Sequence, residues 1–464
     1  MNTAIWWIRR DLRLSDNQAL AEAMRQANTV IPVFILDPKL LASPYVGQSR
    51  LAFLFEGLRV LDASLRQRGS TLTLRQGDPL EMLSILCQET KAEAIFAEED
   101  YSTYARKRDE KIALSLPLRL VAGVTVFHPE MLLKTDGKPY TVFTPFSRMW
   151  RGLPASGRPL PAPHYLPTVP PLKSLIIPSE PRHPMDSLFK AGETEAQKRL
   201  TAFTDLAIGE YDDARNRMDL EGTSGLSPYL RLGLLSARQA VWAARNASES
   251  AKTPTIRQGT ETWLNELIWR EFYAAILYHF PFVRQTAFRA ELRNIPWRDD
   301  PDGFKAWYEG RTGYPVVDAA MRQLNEIGWM HNRARMITAS FLTKDLLINW
   351  QLGEKYFMQH LLDGDPASNN GGWQWTAGTG TDAAPYFRVF NPILQGQKFD
   401  PHGEYVRRWV PELANVPERY IHSPWEMPPE MQKQLGCQIG SDFAAPIIDH
   451  GFARQRVLLA YRNS

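Results

Sequence analysis

Cysteine is nearly absent from this chain: Cys87 and Cys437 are its only two in 464 residues. Thiols so far apart give neither a disulfide framework nor the tight spacing of a metal site, which fits a reducing, cytoplasmic setting and no bound metal. Long apolar runs are missing as well. No stretch approaches the roughly 18 residues of a membrane span. Arg9 and Arg10 also arrive before a signal-peptide core could form, so neither insertion nor secretion is expected. No Gly-x-Gly-x-x-Gly follows the first β-rich run and no Walker-type lysine loop occurs anywhere, which removes ordinary dinucleotide or ATP binding. Charge of one sign is scarce too. With 54 basic against 51 acidic residues the formal net charge is +3, a balance that reports solubility rather than a partner. There is no internal repeat and no low-complexity tail, and the sequence ends soon after its last helical stretch.

What is present is apolar content of 44%, enough for a large core and for two domains. Residues 1 to 130 alternate short β-rich runs with helical stretches. Thr3 to Ile8, Val30 to Leu36, Thr71 to Leu74, Ala94 to Phe96 and Val121 to Phe127 read as strands. Such alternation predicts a doubly wound parallel sheet covered by helices. Ser15 and Gln18 have capping-box spacing ahead of a periodic helix from Asn17 to Gln26. Prolines crowd the stretch 151–195, as in Gly157-Arg-Pro-Leu-Pro-Ala-Pro-His164 and Thr168-Val-Pro-Pro171, and mark an extended connector. Beyond Thr194 the pattern turns helical, near 195–210, 236–247, 258–279, 315–327, 331–348 and 353–362. The expected division is therefore an α/β domain over 1–130, a linker over 131–195 and an all-α domain over 196–464.

Ten of the fourteen tryptophans fall between Trp263 and Trp425, many beside Arg, Asn or Gly. Any one alone reads as core filler, but the cluster asks for more. In Trp263-Leu-Asn-Glu-Leu-Ile-Trp-Arg-Glu-Phe-Tyr273, the residues Glu266, Trp269, Arg270 and Tyr273 share one helix face at i, i+3, i+4 and i+7. A buried ion pair at a helix end would account for the charges, yet carboxylate, indole and guanidinium in one stripe better suit a polar aromatic ligand. Trp329-Met-His-Asn-Arg-Ala-Arg-Met336 pairs Asn332 with Met336 and His331 with Arg335 at i,i+4. Arginine there favours phosphate or a negatively charged ring, while His331 reads as structural. Asp363-Gly-Asp-Pro-Ala-Ser-Asn-Asn-Gly-Gly-Trp-Gln-Trp375 reads as a glycine-rich loop that a ligand can approach closely, with Asp and Asn as acceptors and donors. Gly222-Thr-Ser-Gly-Leu-Ser-Pro228 offers hydroxyls and amides for a phosphate, and Pro228 is placed to begin a helix whose N-terminus favours an anion.

Together these segments resemble the photolyase and cryptochrome family, and most of all the bacterial class I cyclobutane dimer photolyases. The similarity runs from Trp6-Trp-Ile-Arg-Arg-Asp-Leu-Arg-Leu14 to Ile447-Ile-Asp-His450, with Trp329-Met-His-Asn332 and Asn369-Asn-Gly-Gly-Trp-Gln-Trp375 its most diagnostic pieces. The resemblance implies a Rossmann-like antenna domain joined by a long linker to an all-α domain that binds FAD and DNA. It implies a U-shaped FAD held by Tyr211, by Thr223, Ser224, Gly225, Leu226 and Ser227, and by Asp363, Gly364 and Asp365. Asn369 would face the flavin N5, where an amide can donate or accept. Arg335, paired with Asp363, would favour an anionic ring. The implied partner is UV-damaged DNA whose flipped pyrimidine dimer stacks on Trp269 and Trp375, meets Glu266 at its edge and is lined by Asn332 and Met336. Arg215, Arg270, Tyr273, Arg333 and Gln395 would contact the DNA. Trp373, Trp350 and Trp297 match an electron relay. The implied reaction is blue-light-driven dimer splitting by an electron lent from reduced FAD and then returned, carried out by a monomer.

Relatives with other activities share the pattern in part. Cryptochrome photoreceptors have the fold and FAD, but plant members carry aspartate where this chain has Asn369, and this chain shows Trp-Gln-Trp and no long signalling tail. Six-four photolyases place histidines at the positions of Asn332 and Met336, and DASH-type relatives lack Trp-Gln-Trp. A dark NAD(P)H oxidoreductase would need a nicotinamide site that the sequence does not display. For a second, antenna chromophore, Phe34-Ile-Leu-Asp-Pro38 resembles the deazaflavin type, whereas Tyr104-Ala105 stands where folate binders place Asn-Glu. Phe34, Arg50 and Asp100 are its implied contacts, although surface ion pairs would explain Arg50 and Asp100 equally.

Overall fold

The computed structural model describes residues 1–154, 157–167, 172–184 and 187–462. The Thr168-Val-Pro-Pro171 part of the expected connector lies outside them. The chain divides into two compact units that do not follow chain order. The first comprises Met1–Asp212, Ser224–Pro281 and Leu362–Ala367, and the second Asp213–Thr223, Phe282–Leu361 and Ser368–Ser464.

Five parallel strands, β1 (Thr3–Ile8), β2 (Thr29–Leu36), β3 (Thr73–Gln76), β4 (Ala94–Glu98) and β5 (Leu118–Val121), stand in the order β3-β2-β1-β4-β5. With them run helices α1 (Gln18–Gln26), α2 (Pro38–Leu41), α3 (Gln48–Arg66), α4 (Pro79–Thr90) and α5 (Thr103–Ala113). β1, β2 and β4 are buried almost throughout because both faces of a parallel sheet are covered. The register sets Ile5 beside Ile31 and Ile95, so one face gathers Ile5, Trp7, Ile31, Val33, Ile35, Ile95 and Ala97 beneath Leu83, Leu86 and Ile112. Strand order turns back between β1 and β4, and their carboxyl ends deliver Arg9, Arg10, Glu98 and Asp100 to that turning point, where doubly wound sheets collect polar groups.

The rest of the first unit is helical: α6 (Phe143–Gly152), α7 (Glu193–Ala202), the first half of α8 (Tyr211–Ala214), α9 (Ser227–Leu232), α10 (Ala237–Glu249) and α11 (Pro254–His279). The second is all-helical, with α12 (Pro301–Glu309), α13 (Pro315–Ile327), α14 (Asn332–Ser340), α15 (Trp350–His360), α16 (Pro366–Ala377), α17 (Pro392–Phe399), α18 (Glu404–Trp409), α19 (Pro429–Leu435) and α20 (His450–Arg462). Of these α16 starts in the first unit. Its core gathers Trp307, Val317, Met321, Ile337, Leu342, Trp350, Phe357, Trp373 and Leu413.

Four expectations need correcting. Ser15 does not cap α1: its hydroxyl turns to Glu193, and Asn17 accepts from the Leu20 amide instead. A complete capping box stands at Ser236 and Gln239, ahead of α10. The fifth strand ends at Val121, where it was expected to begin. Past it, the Val126 amide donates to the Glu271 carboxylate rather than to a neighbouring strand, and a Cβ at Gly123 would lie 2.3 Å from the Glu98 side chain. Within the stretch read as linker stands α6, fixed to α11 by Trp150 Nε1, which donates to Glu271 at 2.6 Å, and by Arg151, which donates to Glu261 and Asn265. Asp363 to Trp375, finally, is a loop only as far as Asp365, and the remainder is α16.

Glu271 is 3% exposed, serves both Trp150 and Val126, and is pushed above the usual carboxylate range by burial. Glu271→Ala leaves a buried and a half-buried donor unmatched and should lower stability in urea unfolding by about 2 to 4 kcal/mol, with Glu271→Gln costing less because an acceptor remains. A Glu271→Ala midpoint equal to wild type would show that this carboxylate does not hold α6 in place.

Candidate functional site

In the first unit, α11 presents the expected stripe only in part. The half-buried rings of Trp269 and Tyr273 lie 5.5 Å apart, and Glu266 is half-buried on the same helix. Arg270 departs from the set: its guanidinium donates to Val124 O at 3.0 Å, and burial lowers its pKa. It lines a pocket with Arg10, Asp100, Tyr101, Ser102 and Asp365.

That pocket centres on a buried charge network. Arg10 donates to Asp365 at 2.6 Å and to Asp100 at 3.4 Å, and Arg231 donates to Gly364 O at 2.6 Å. Burial, with repulsion from Arg10, brings Arg231 down to about 9, while Arg10 holds Asp100 below its usual range against the opposing effect of burial. Of the antenna candidates, Asp100 is taken up by Arg10 and the Ser102 amide, Arg50 donates to Tyr45 O under the attraction of Asp363 and Asp365, and Phe34 is buried in β2.

The same unit carries Tyr211, Ser224 to Ser227 and Asp363 to Asp365. Several of their features fit a phosphate-bearing cofactor. α9 starts at Ser227 with no side-chain cap, Pro228 occupies its first turn, and Gly225 stands in the left-handed region at φ +59°, where a Cβ would meet Arg199 at 2.8 Å. Uncapped first-turn amides and a close glycine are what an anion uses.

In the second unit, His331 caps α14 by accepting the Arg333 amide at 3.0 Å, which confirms a structural role. Asn332, exposed, reaches Met336 Sδ at 3.8 Å, so the expected i,i+4 pair meets at the surface. Arg333 donates to Asn216 and lies 4.3 Å over the Phe399 ring, with the Lys398 ammonium 5.4 Å from the same ring. Burial first, and then Arg215 and Arg388, bring Arg333 down to about 10, so three arginines crowd together there. Arg388 was missed in the sequence. Gln395 is half-buried in the first turn of α17, and Arg335 donates through Nε to Met330 O at 2.8 Å.

Helical spacing explains Asn-Asn-Gly-Gly-Trp-Gln-Trp. Asn370 and Gln374, at i,i+4, both donate to Val283 O and anchor one face of α16. Asn369 and Trp373, also at i,i+4, meet two successive residues of α15: Asn369 donates to Glu354 O at 3.0 Å, and the Trp373 ring lies where a Cβ on Gly353 would be, 2.1 Å from it. A Cβ at Gly372 would meet nothing within 4 Å. The three relay candidates belong to one apolar cluster, Trp373 and Trp350 being 2% and 3% exposed and Trp297 only partly buried against it. Trp307, a residue the sequence pattern did not single out, also lies beside Trp373, its ring centroid 6.0 Å away. Trp375 is half-buried. Among the described residues no helix is long and apolar enough to cross a membrane, and no group of three or more His, Cys, Asp or Glu could hold a metal ion.

Residues 4–164 match the family model described as DNA photolyase, and residues 263–463 match that of the FAD binding domain of DNA photolyase. A curated protein of Synechococcus sp. named deoxyribodipyrimidine photo-lyase is 40% identical over 483 residues, covering 99% of this chain and 96% of its own. A bacterial class III photolyase from Agrobacterium tumefaciens superposes with a TM-score of 0.93 at 39% identity, over 100% of this chain and 98% of its own. The Synechocystis cryptochrome superposes at 0.91 with 30% identity, over 99% of each chain.

Two outcomes follow from the geometry. His331, 3% exposed, is held down to about 4 from its usual 6.5, first by burial and then by Arg333 and Arg335. A depressed folded pKa gives stability that is complete above about 6.5 and is lost as pH falls towards about 4, a loss of roughly 3 kcal/mol. Equilibrium unfolding across that window should show the slope in wild type and a flatter one in His331→Asn, which keeps the cap without the titration. Gly353→Ala, by overfilling the space of the Trp373 ring, should cost about 1 to 3 kcal/mol and shift the near-ultraviolet tryptophan signal; unchanged stability and spectrum would contradict the contact.

Proposed function

The chain belongs to the DNA photolyase family, and on that premise we propose that it repairs cyclobutane pyrimidine dimers in DNA under blue light, with reduced FAD as its cofactor. The observation that carries this reading is the Asn332–Met336 pair at the start of α14, Asn332 exposed and Met336 half-buried, with Arg333 between them in sequence and crowded by Arg215 and Arg388. Clustered guanidinium groups attract a phosphate backbone and make affinity fall with salt. An amide beside a thioether suits the polar edge and apolar body of a pyrimidine. Neither side chain can deliver a proton as histidine would, which favours dimer splitting over six-four chemistry.

When bound, reduced FAD supplies a photoexcited one-electron donor whose electron is returned after ring opening, so no net oxidation occurs. Tyr211, Thr223 to Ser227 and Asp363 to Asp365 would hold it, the uncapped start of α9 serving its phosphates. Asn369, its amide nitrogen committed to Glu354 O, keeps its carbonyl oxygen to accept a proton donor such as flavin N5–H. Trp269 and Trp375 would give the flipped dimer aromatic surfaces, with Glu266 at its hydrogen-bonding edge. Tyr273, Arg215, Arg333 and Gln395 would contact the strand. Trp373, Trp350 and Trp297 would carry electrons inward from the surface. The same reading includes a monomer in the cytoplasm and a second chromophore of the deazaflavin type rather than folate, near Phe34 and Arg50.

The test is an oligonucleotide with one thymine dimer, incubated with photoreduced, FAD-loaded protein in blue light and in darkness and then chromatographed. Light-dependent restoration of the thymines is expected, slowed about tenfold or more in Glu266→Ala by loss of a charge-assisted hydrogen bond. No repair by the fully reduced protein would overturn the proposal and put a cryptochrome-type photoreceptor in its place.

A further inference from the structure

Trp269 is not a free-standing ring. Phe143, the first residue of α6, lies face to face with it, the centroids 3.8 Å apart and the planes 4° from parallel. The other rings around them meet at steep or tilted angles: Phe272 is edge-on to Phe143 at 80° and to Trp269 at 84°, and Tyr273 is tilted 34° to Trp269. Edge-on packing is the ordinary arrangement of a filled aromatic core, and near-complete overlap of two rings needs their backbones held in register.

α6 supplies that register. Trp150 at its far end donates to Glu271, Arg151 reaches Glu261 and Asn265, and Phe146 is fully buried with its edge against Phe272 at 5.2 Å. Three of these partners stand on α11 within a residue or two of a helical turn from Trp269, so the two helices are fixed to each other on both sides of the stacked pair. Phe143 itself is half-buried, in contrast to Phe146 one turn later, and its neighbours Val142 and Thr144 are exposed. The pair therefore lies at the protein surface, with one indole face covered by Phe143.

We propose that Phe143 is a positioning residue for lesion recognition: it holds the Trp269 indole so that the opposite face is offered to a flipped-out pyrimidine, making a three-layer stack of base, indole and phenyl ring. This rests on the reading that Trp269 stacks the dimer. A clamped ring loses no rotamer freedom when the base arrives, so the stacking free energy appears as affinity for the extruded lesion. Binding to undamaged duplex, which rests on phosphate contacts, gains nothing from the clamp.

The experiment uses the full-length, FAD-loaded protein at fixed salt, and measures dissociation constants for one oligonucleotide with and without a single thymine dimer. Phe143→Leu keeps the volume and removes the flat face, Phe143→Tyr keeps both, and Trp269→Ala is made alone and with Phe143→Leu. The leucine variant should bind dimer DNA roughly threefold to tenfold more weakly with unchanged affinity for undamaged DNA. The tyrosine variant should match wild type, and the leucine effect should vanish once Trp269 is alanine. Equal or tighter dimer binding by Phe143→Leu, an equal loss on both DNAs, or a loss that persists beside Trp269→Ala each overturns the proposal. A wild-type protein with no preference for dimer DNA overturns the repair reading itself, and is seen before any variant is compared.

Discussion

A guanidinium buried in protein must find carboxylates, and Arg10 sets much of the first unit by that requirement. It stands just past β1 and holds Asp100 from the end of β4 together with Asp365 from far along the chain. Removing one partner of such a buried pair leaves the other uncompensated, at a cost of about 3 to 5 kcal/mol. Arg231 secures the same short segment through Gly364 O, so 363–365 is fixed at the carboxyl end of the sheet from two directions. Asp365 also accepts the Ala367 amide in the first turn of α16, which sets where that helix begins. Helical periodicity then determines on which side Asn369 and Trp373 emerge.

The far end of α16 is fixed by the opposite device. The carbonyl of Ala377 accepts both from the Lys344 ammonium at 2.8 Å and from the Tyr461 hydroxyl at 2.6 Å, and Lys344 lies 3.7 Å from the Tyr461 ring centre. A cation at a helix C-terminus meets the negative end of the macrodipole, although burial draws this lysine down to about 7. A helix containing two glycines and two asparagines has poor intrinsic propensity. Polar fastenings at both ends, with Asn370 and Gln374 on Val283 O between them, supply what propensity lacks.

That balance explains what the sequence disclosed. Strongly periodic elements were legible: β1, β2 and β4 from their β-branched and aromatic runs, and α13, whose expected and observed ranges coincide at 315–327. Where local preference and tertiary anchoring disagree, the sequence misled. Asp363 to Trp375 reads as a loop because Gly, Asn and Asp favour loops, and only the distant partners Arg10, Val283 and Lys344 make most of it helical. Ser15 has the spacing of a cap but is drawn away by Glu193. Arg270 shares the helix face of Glu266 and Tyr273, yet its long side chain can follow Val124 O inward. Phe143 fell within 131–195, the stretch read as linker; the spacing of Phe143, Phe146 and Trp150 was the available signal of a helix face turned to the protein.

Gly353 and Glu354 show why a site of this kind tolerates little change in backbone. Asn369 takes its orientation from the Glu354 carbonyl, and Trp373, one turn later on α16, takes its position from the absence of a side chain at Gly353. The polar group and the indole are thus referenced to adjacent residues of one helix, and a shift of α15 displaces both together. Glu354 is itself held, its carboxylate buried and paired with Arg284 at 2.7 Å. Rigidity here has a chemical reason. On the proposed reading an amide and an electron-carrying ring would both serve one cofactor, and because hydrogen bonding and electron transfer decline steeply with distance, fixing them to adjacent residues of one helix would hold both in place.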